Sequence, residues 1–390
     1  MVLETRVVEE ADEVTDRPRI NCSRKVAYGC GEHGQELVGG LSLHVRRLEH
    51  HPNFTCRLAI SLGQEAIRSV RAELGVSGGL VEVFRIRSLG ELGRYLVYDT
   101  TDASLYMVPC APGHLAYQTM TPVPRRTGDG RGPQLFLMAR TSWPEPVKRK
   151  FLCMCTLPTG AKSGSDSSVA WQIKEQRFPN NLGSFKSDVM FAFEGKVFWA
   201  DLSQGLVFCD PEQLHRDSVV KFEFISLPKQ EDEVPEPAMR SRNVVCVGGS
   251  IKFIFIDRSR GFGREMVKLW TLNLLSREWE PEPEKSIRWN ELRKQVVCPE
   301  FWDLEPCYPS LLPDGTLCLL AYNVRQIRRM AFHYICSFDI SSKKLLSSGL
   351  FGHLSGSGPI VLPCDFFAKC CSPPPRQSKP RTNKRKMDSI

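Results

Sequence analysis

The stretch that decides the fold is Val189–Pro211, VMFAFEGKVFWADLSQGLVFCDP. It contains three short apolar runs, at 190–193, 197–200 and 206–209, which are separated by two turns. Runs of four or five residues rich in Val and Phe, broken by Gly and Asp, are typical of antiparallel strands joined by tight connections. The stretch therefore predicts a small β-meander, and it carries no cluster of chemically reactive side chains.

The same unit recurs along the chain: an apolar run, a polar turn, and then a shorter run that often carries an aromatic residue. Five turn residues mark its copies: Asp99, Thr156, Asp210, Asn273 and Asp339. Their spacing of roughly 54 to 66 residues fits a four-stranded propeller blade, which needs about 40–50 residues, with inserted loops. We therefore expect an all-β, β-propeller-like domain of about five or six blades, since radial repetition also protects strand edges. The alternative is two stacked β-sandwich domains divided near residue 145.

One or two short helices are expected to interrupt this pattern. In GQEAIRSVRAELG (63–75), Ile67, Val70 and Leu74 fall at helical spacing and Gly75 is placed as a C-terminal stop. A second short helix is expected over residues 288–297.

Charge and composition divide the chain into three parts. Residues 1–18 are acidic and poor in aromatic residues, which predicts disorder. Residues 19–365 form the expected β-propeller-like domain. Residues 366–390 are predicted to be a disordered basic tail.

The overall composition is that of a soluble globular protein, with 42% hydrophobic and 25% charged residues. No apolar run approaches the roughly 18 residues that span a bilayer. The acidic N-terminal stretch lacks the basic-then-apolar layout of a secretory signal. We therefore expect a nuclear or cytoplasmic protein that is neither secreted nor in a membrane.

The fifteen cysteines include no CxxC pair, the arrangement that structural zinc sites usually require. Most are expected to be buried free thiols in a reducing compartment, because free Cys packs as a small apolar residue. Four of them lie within apolar runs: Cys209, Cys246, Cys318 and Cys336.

The net charge of +8 is concentrated at the C-terminal tail. Residues 372–390 hold six Lys or Arg and one Asp, which leaves 46 basic and 43 acidic residues in the remainder. The body is therefore almost neutral, whereas a nucleic-acid-binding body is expected to carry a basic stripe. Within the tail, PPPRQSKPRTNKRK suits a nuclear import receptor or, loosely, a phosphate backbone; the alternative is a solubilising terminus. The basic residues assigned to this role are Lys379, Arg381, Lys384, Arg385 and Lys386.

One motif is enzyme-like. Residues 75–79 satisfy G-x-S-x-G, and Asp99 or Asp102 and then His114 follow in the order of a hydrolase triad. A nucleophile elbow needs a strand before the serine and a helix after it. Here a predicted helix precedes Ser77 and a strand follows, so we expect a loop rather than a catalytic site.

Other candidate ligand sites are weaker still. The glycine-rich GDGRG (128–132) is not followed by a helix N-terminus that would bind phosphate. His50 and His51 are neighbours, which face opposite sides of a strand. We therefore predict no catalytic, cofactor-binding or metal-binding residues and no cofactor. Four tryptophans at comparable places in the repeats are assigned to the core: Trp171, Trp199, Trp270 and Trp279.

Several stretches resemble a plant protein family that is expanded in grasses and carries the uncharacterised domain of unknown function 1618. They are FEGKVFWADLSQGLVFCDP (193–211), KFEFISLP (221–228), RNVVCVGGSIKFIFID (242–257), VKLWTLNLLSREW (267–279) and CYPSLLPDGTLCLLAY (307–322), with DTTDASLYMVP (99–109) upstream. The resemblance covers about residues 80–350, and its most distinctive part is W-x-D-L-x-x-G-L. It implies structural roles for Trp199, Asp201, Leu202, Gly205, Leu206 and Asp210.

The resemblance implies little about activity. The family layout is similar to the propeller-like regions attached to F-box proteins, which recognise substrates for ubiquitin ligases. The first 50 residues lack the Leu-Pro start and the paired helices of an F-box, so this adaptor role is not expected.

The favoured function is a non-enzymatic protein–protein interaction scaffold that binds an unidentified protein through loops at 121–133, 158–168 and 229–242. One alternative is an enzyme with its site in the propeller channel. It would need polar side chains on the inner strands, whose candidates MFAF, IKFIFI and LCLLAY are nearly all apolar. The other alternative is nucleic-acid association through the tail, without specific sequence reading. An import receptor is a second candidate partner.

Overall fold

The computed structural model describes residues 2–3, 20–47, 56–61, 71–77, 81–87, 93–111, 115–117, 122–126, 132–141, 150–158, 170–179, 185–214, 219–229, 237–296, 304–312, 314–323, 333–352 and 360–361. Three α-helices lie in these segments: α1 Gly31–Gly40, α2 Pro211–Leu214 and α3 Trp289–Arg293. Two short 3-10 turns lie at Ala238–Arg240 and Pro283–Lys285. In these segments no helix is long and apolar enough to cross a membrane.

The described strands form five sheets of four or more strands, numbered here in chain order. The first contains β2 Arg24–Ala27, β5 Arg71–Ser77, β6 Val81–Arg87, β7 Arg94–Asp99 and β8 Ser104–Pro109. The second contains β9 Leu115–Tyr117, β10 Val123–Arg125, β11 Gln134–Thr141, β12 Lys150–Thr156, β13 Gln172–Arg177 and β17 Val219–Lys221. The third contains β14 Val189–Phe193, β15 Lys196–Asp201, β16 Gly205–Cys209 and β18 Glu223–Ser226.

The fourth sheet contains β19 Arg242–Val247, β20 Ser250–Asp257, β21 Met266–Asn273, β22 Glu278–Pro281 and β23 Ile287–Arg288. The fifth contains β24 Leu304–Leu311, β25 Leu317–Asn323, β26 His333–Asp339 and β27 Lys344–Gly352. Two further antiparallel pairs join β1 Val2–Leu3 to β28 Ile360–Val361 and β3 Ser42–Arg47 to β4 Cys56–Ser61.

Each large sheet is built around an antiparallel meander of four strands, and the predicted turn residues occupy one position in all five. That position is the end of the third strand: Asp99 on β7, Thr156 on β12, Asp210 directly after β16, Asn273 on β21 and Asp339 on β26. The repeating unit that the sequence predicts is therefore one sheet.

Consecutive sheets pack face to face, and side chains of one strand alternate between two neighbours. On β15, Val197 and Trp199 join the core between the second and third sheets. Phe198 and Ala200 join the core between the third and fourth sheets. Because both faces are buried, the strand reads as an unbroken apolar run rather than as an alternating one.

The sheets succeed one another around a common centre. Four apolar cores join the first sheet to the second, the second to the third, the third to the fourth and the fourth to the fifth. The first meander strands of successive sheets also contact each other, β10 with β14, β14 with β19 and β19 with β24. The fold is all-β and propeller-like, as predicted.

The two-sandwich alternative is wrong. Residue 145 lies between β11 and β12, which pair along their lengths from Gln134 opposite Thr156 to Arg140 opposite Lys150. A domain boundary cannot fall inside a paired hairpin.

The helix predicted over 63–75 is also wrong at its C-terminal end, because Arg71–Ser77 is strand β5. The same residues carry an alternating pattern at Ala72, Leu74 and Val76, and pairing with β6 selects it. The register shifts between Leu74 and Val76, so Gly75 occupies an irregularity of the strand and not a helix end. The second predicted helix is confirmed as α3, although it is shorter.

Helix α1 is not predicted, because four of its ten residues are glycine. Side chains and β2 hold it instead. Gln35 accepts a hydrogen bond from the Ala27 N–H at 2.9 Å, and Lys25 Nζ donates to the carbonyls of Gly39 and Leu41 at 3.0 and 2.6 Å. A cation there stabilises the exposed carbonyls of the helix C-terminus.

The predicted disordered termini are barely covered. Val2–Leu3 lie in β1, whereas residues 4–18 and 366–390 lie outside the described residues. Both predictions of disorder stay predictions.

Candidate functional site

The meander gives every sheet two distinct ends. Neighbouring antiparallel strands reverse direction, so the first–second and third–fourth turns lie at one end. We call this the hairpin end. The second–third turn and the connection to the next sheet lie at the other, which we call the connection end. In the fourth sheet, Arg258–Glu265 lies at the connection end and Leu274–Arg277 at the hairpin end.

The turn from Arg258 to Glu265 is held in a defined shape. Its two glycines have positive φ, +82° at Gly261 and +77° at Gly263, which residues with a side chain adopt at a cost. The Gly261 N–H donates to the Arg258 carbonyl at 2.9 Å, and the Arg264 N–H donates to the Gly261 carbonyl at 3.1 Å. The turn is therefore closed by its own backbone.

Buried groups anchor both sides of this turn. Glu265 is 1% exposed, and its carboxylate accepts the Gly263 N–H at 2.9 Å while its carbonyl accepts the Trp289 N–H at 2.9 Å. Asp257 accepts the backbone N–H and hydroxyl of Ser259 at 3.0 and 2.7 Å. Partial burial raises the pKa of the Asp257 carboxyl, but hydrogen bonds from Lys268 and Ser259 outweigh it and lower this pKa to about 2.

Phe262 lies at the tip of the turn and is 50% exposed. Arg260 and Arg264 flank it, and both side chains are exposed. Arg288 on β23 is also exposed and lies opposite Met266, at the start of β21. The Arg293 guanidinium of α3 lies 3.8 Å from the point that a Cβ on Gly263 would occupy.

These five residues form the arginine–phenylalanine surface: Arg260, Phe262, Arg264, Arg288 and Arg293. Within the described part of the chain, Arg260, Arg264 and Arg288 form no ion pair. Three exposed cations thus lie on or beside the fixed turn that carries Phe262, and their charge is not compensated by the described carboxylates.

Other arginines at the connection end are engaged within the fold. Arg242 donates to the Leu202 carbonyl at 3.1 Å, which ties the fourth sheet to the third. Arg258 donates to the Pro306 carbonyl at 2.6 Å, which ties the fourth sheet to the fifth.

A further contact between the fourth and fifth sheets involves an aromatic ring. The Arg240 guanidinium lies 4.2 Å from the ring centre of Tyr322, whose hydroxyl donates to Glu305. Burial and the Glu305 carboxylate raise the pKa of Tyr322. Its hydroxyl is therefore a hydrogen-bond donor at neutral pH and not a base.

A second polar cluster lies at the hairpin end of the second sheet. Arg125 is buried and donates to Gln134 at 3.2 Å and to Glu212 at 2.9 Å. Arg126 pairs with the buried Asp99. These cations are neutralised by protein groups, so the cluster is internal support for the turns.

The family-motif residues lie in the interior of the third sheet. Trp199, Leu202 and Leu206 are fully buried. Asp201 accepts backbone N–H groups of Ser203 and Lys186 at 2.9 and 2.8 Å. A Cβ at Gly205 would lie 2.3 Å from the Ile225 carbonyl oxygen, and Asp210 accepts the Glu212 N–H at 2.9 Å at the start of α2.

The four tryptophans pack in the cores, but not at comparable places. Trp199 lies on a second strand, Trp270 on a third and Trp279 on a fourth, and Trp171 directly precedes β13. Trp199 belongs to a core, and the other three pack against one while partly exposed.

The cysteine prediction holds for three of the four named residues. Cys209, Cys318 and Cys336 are buried and are not joined in disulfides, and the same holds for Cys153, Cys155 and Cys307. Cys246 is exposed, because it lies beside the Gly248–Gly249 turn at the margin of the fourth sheet.

The first meander strands are the inner strands, because they contact one another from sheet to sheet. The prediction of inner strands is therefore wrong for two of its three candidates. MFAF lies on β14, the first strand of its meander, but IKFIFI and LCLLAY lie on the second strands β20 and β25. These second strands are apolar because they are buried on both faces.

Ser77 ends β5, and β6 begins at Val81, so the serine is preceded by a strand and not by a helix. The element that follows is the strand β6, whereas a nucleophile elbow requires a helix there. Several other predicted features lie outside the described residues: His50, His51, His114, residues 128–131 of GDGRG, and the tail residues Lys379, Arg381, Lys384, Arg385 and Lys386.

The predicted binding loops are described only at their margins. Residues 127–131, 159–168 and 230–236 lie outside the description, whereas 123–125 is strand β10. Groups of three or more potential metal ligands are not found among the described residues.

The sequence pattern around 258–265 is dominated by the two apolar strands on either side, so it predicts no function for the turn between them. A signal was present: in RSRGFGR, three arginines surround a phenylalanine between two glycines. The contribution of Arg288 and Arg293 had no local signal, since they join the surface only through β23 and α3.

Residues 199–325 match the model of a family described as a protein of unknown function, DUF1618. The predicted resemblance is therefore confirmed for this stretch, which includes the whole arginine–phenylalanine surface. No curated protein matches the chain in sequence.

Several solved structures resemble the chain at low sequence identity. The Pseudomonas aeruginosa periplasmic gluconolactonase PpgL is 13% identical with a TM-score of 0.36, covering 83% of this chain and 95% of that one. AofleA from Arthrobotrys oligospora is 10% identical with a TM-score of 0.34, covering 86% and 81%. A structure from a study of two prolyl endopeptidases is 12% identical with a TM-score of 0.31, and this chain spans 48% of its length.

Proposed function

We propose that this chain, with its DUF1618 stretch, is a non-enzymatic scaffold that binds a protein partner through the arginine–phenylalanine surface. The observation that carries the proposal is Phe262, half exposed on a turn whose backbone is fixed at both glycines.

The residue types support protein binding. Aromatic residues and arginine are enriched at the energetic centres of protein interfaces, whereas isolated exposed aliphatic residues are common everywhere. An aromatic ring contributes a large contact area with few rotatable bonds, and burying the exposed half of Phe262 would be favourable.

The hydrogen bonds that hold the turn to the buried core support a role in binding as well. The carboxylate and carbonyl of Glu265 hold the turn to the buried Trp289, whose indole N–H donates to the Leu304 carbonyl at 2.9 Å. A turn that is already ordered loses little conformational entropy when a partner docks, so more of the contact energy appears as affinity.

The location of binding is part of the same proposal. We propose that the basic tail, with Lys379, Arg381, Lys384, Arg385 and Lys386, directs the chain to the nucleus through an import receptor. A fluorescent fusion truncated after Pro363 is then expected to lose nuclear enrichment, while a fusion that retains the tail keeps it. Equal nuclear enrichment of both fusions would exclude import by the tail.

Proximity labelling in plant cells, the source that the family resemblance suggests, tests the binding role. The chain, Phe262→Ala and the matched control Leu275→Ala are compared at equal expression. Leu275 is the suitable control because it is 98% exposed on the same sheet but at its other end.

A discrete set of protein neighbours is expected for the chain and for Leu275→Ala, and its loss is expected for Phe262→Ala. The scaffold role at this surface would be contradicted if Phe262→Ala kept the same neighbours. Turnover of small molecules by the purified chain would contradict the non-enzymatic role.

A further inference from the structure

We infer that the partner presents an acidic linear segment of protein, in which carboxylates flank one large apolar side chain. The inference rests on the proposed function and specifies what the arginine–phenylalanine surface binds.

The arginine–phenylalanine surface carries positive charge that the described carboxylates do not neutralise. Arg260, Arg264 and Arg288 are exposed and form no ion pair with a described residue. The Glu265 carboxylate is buried and already accepts the Gly263 N–H. The exposed carboxylate on α3, Glu291, lies 3.9 Å from Lys343.

This local excess contrasts with a body that is almost neutral outside the C-terminal tail. Grouped like charges repel one another in the free protein, and an acidic partner relieves that repulsion while it gains ion pairs. Arginine also forms paired hydrogen bonds with a carboxylate, which lysine does not. The complementary ligand is therefore rich in Asp or Glu.

The order of residues along the turn adds an apolar requirement. Phe262 lies between Arg260 and Arg264, separated from each by one glycine. A ring between two cations suits a segment whose apolar residue lies between carboxylates, because the ring is then covered while both charges are paired. Contacts of this kind at a desolvated centre carry most of the affinity of an interface.

Single-stranded nucleic acid is the competing class of ligand, and the observations favour it less. Platforms for single strands usually stack several successive bases on several aromatic rings along a basic groove. The arginine–phenylalanine surface has one ring. The Tyr322 ring, at the connection end of the fifth sheet, is already in contact with the Arg240 guanidinium, 4.2 Å from the ring centre.

The test is selection of random linear peptides on the purified full chain, followed by fluorescence anisotropy with a selected peptide and with labelled oligouridylate. Four proteins are compared: the chain, Phe262→Ala, Arg260→Glu/Arg264→Glu and the control Lys196→Glu/Lys221→Glu. The control changes net charge equally on the third and second sheets.

Selected peptides are expected to carry several Asp or Glu residues around one large apolar residue. Their affinity should fall by roughly tenfold or more in Phe262→Ala and in Arg260→Glu/Arg264→Glu, stay within about twofold in the control, and fall as salt rises. Enrichment of uncharged or basic peptides, absence of enrichment, or tighter binding of oligouridylate through the same residues would each overturn the inference. The scaffold role would still stand in those cases if proximity labelling lost its neighbours in Phe262→Ala.

Discussion

Two turns of the fourth sheet each expose a large apolar side chain, Phe262 at the connection end and Leu275 at the hairpin end. Leu275 is the more exposed, at 98% against 50%. Its turn is closed by Asn273, which accepts the Leu275 and Ser276 N–H groups at 3.1 and 3.3 Å. The cation in that turn, Arg277, is paired with Glu223.

Exposed area therefore does not single out a binding surface. A lone exposed leucine is ordinary on a soluble protein. What distinguishes Phe262 is its surroundings: three exposed arginines (Arg260, Arg264 and Arg288) that form no ion pair with a described residue, glycines that fix the turn, and the buried Glu265 carboxylate that bonds to the turn. The comparison predicts that the two ends differ in structural support as well as in binding.

The largest effect is expected at the tryptophans behind the two turns. Trp289 is fully buried and contacts Phe338 edge-on, so Trp289→Ala should lower the free energy of unfolding by about 3–5 kcal/mol. Trp279 is partly exposed and donates to the Ser226 carbonyl at 2.9 Å, so Trp279→Ala should cost about 1–2 kcal/mol. Urea unfolding measures both, and equal costs would mean that the two turns are supported alike.

The next effect concerns the residues that begin the two turns. Asp257→Asn should destabilise the fold by about 1–3 kcal/mol at neutral pH, because the carboxylate bonded to Lys268 and Ser259 is lost. The native pKa of Asp257 is lowered from 3.8 to about 2. Its stabilisation is therefore fully present above pH 3.8 and is lost as the pH falls toward 2.

The urea midpoints of the chain and Asp257→Asn should accordingly converge only in this acidic range. Asn273→Ala at the other turn is the control, since an amide does not titrate there. A difference for Asp257→Asn that disappeared near neutral pH would contradict the lowered pKa.

Backbone substitutions should act in opposite directions at the two turns. Gly263→Ala introduces a Cβ at φ +77° and should cost about 1 kcal/mol. Arg277 already has φ +61°, so Arg277→Gly should be stabilising by about 0.5 kcal/mol relative to Arg277→Ala, which also lacks the ion pair. Thermal unfolding of these three variants checks the signs, and stabilisation by Gly263→Ala would contradict the fixed turn.

The smallest effects on stability are expected for the exposed side chains themselves. Phe262→Ala and Leu275→Ala should each change the free energy of unfolding by less than about 0.5 kcal/mol. A larger loss for Phe262→Ala would indicate that the ring packs in the fold, which would weaken its role as a contact for a partner.

The sequence predicted the sheets better than the surface. The apolar runs around Trp199 and the turn residue Asp210 are local signals, and all five turn residues end a third strand. Over residues 71–75 a helical and an alternating periodicity overlap, and the pairing of Leu74 with Phe84 on the next strand decides for a strand. No local pattern contains that pairing.

The arginine–phenylalanine surface was out of reach for a related reason. Arg260 and Phe262 are neighbours in sequence, but Arg288 reaches the turn only because β23 pairs with β21. Whether an arginine side chain is bonded within the fold also depends on tertiary contacts: Arg242 and Arg258 look similar in sequence but donate hydrogen bonds to carbonyls of other sheets. Composition alone does not separate the exposed arginines of the surface from the arginines that are bonded within the fold.

The most direct test of the central claim places a photo-crosslinking phenylalanine analogue at position 262 in one variant and at position 275 in another. We predict a discrete cross-linked protein partner at 262, none at 275, and loss of the cross-link when Arg260→Glu/Arg264→Glu is added. Equal cross-linking at both positions, or cross-linking at 275 alone, would contradict the claim that the arginine–phenylalanine surface is the binding site.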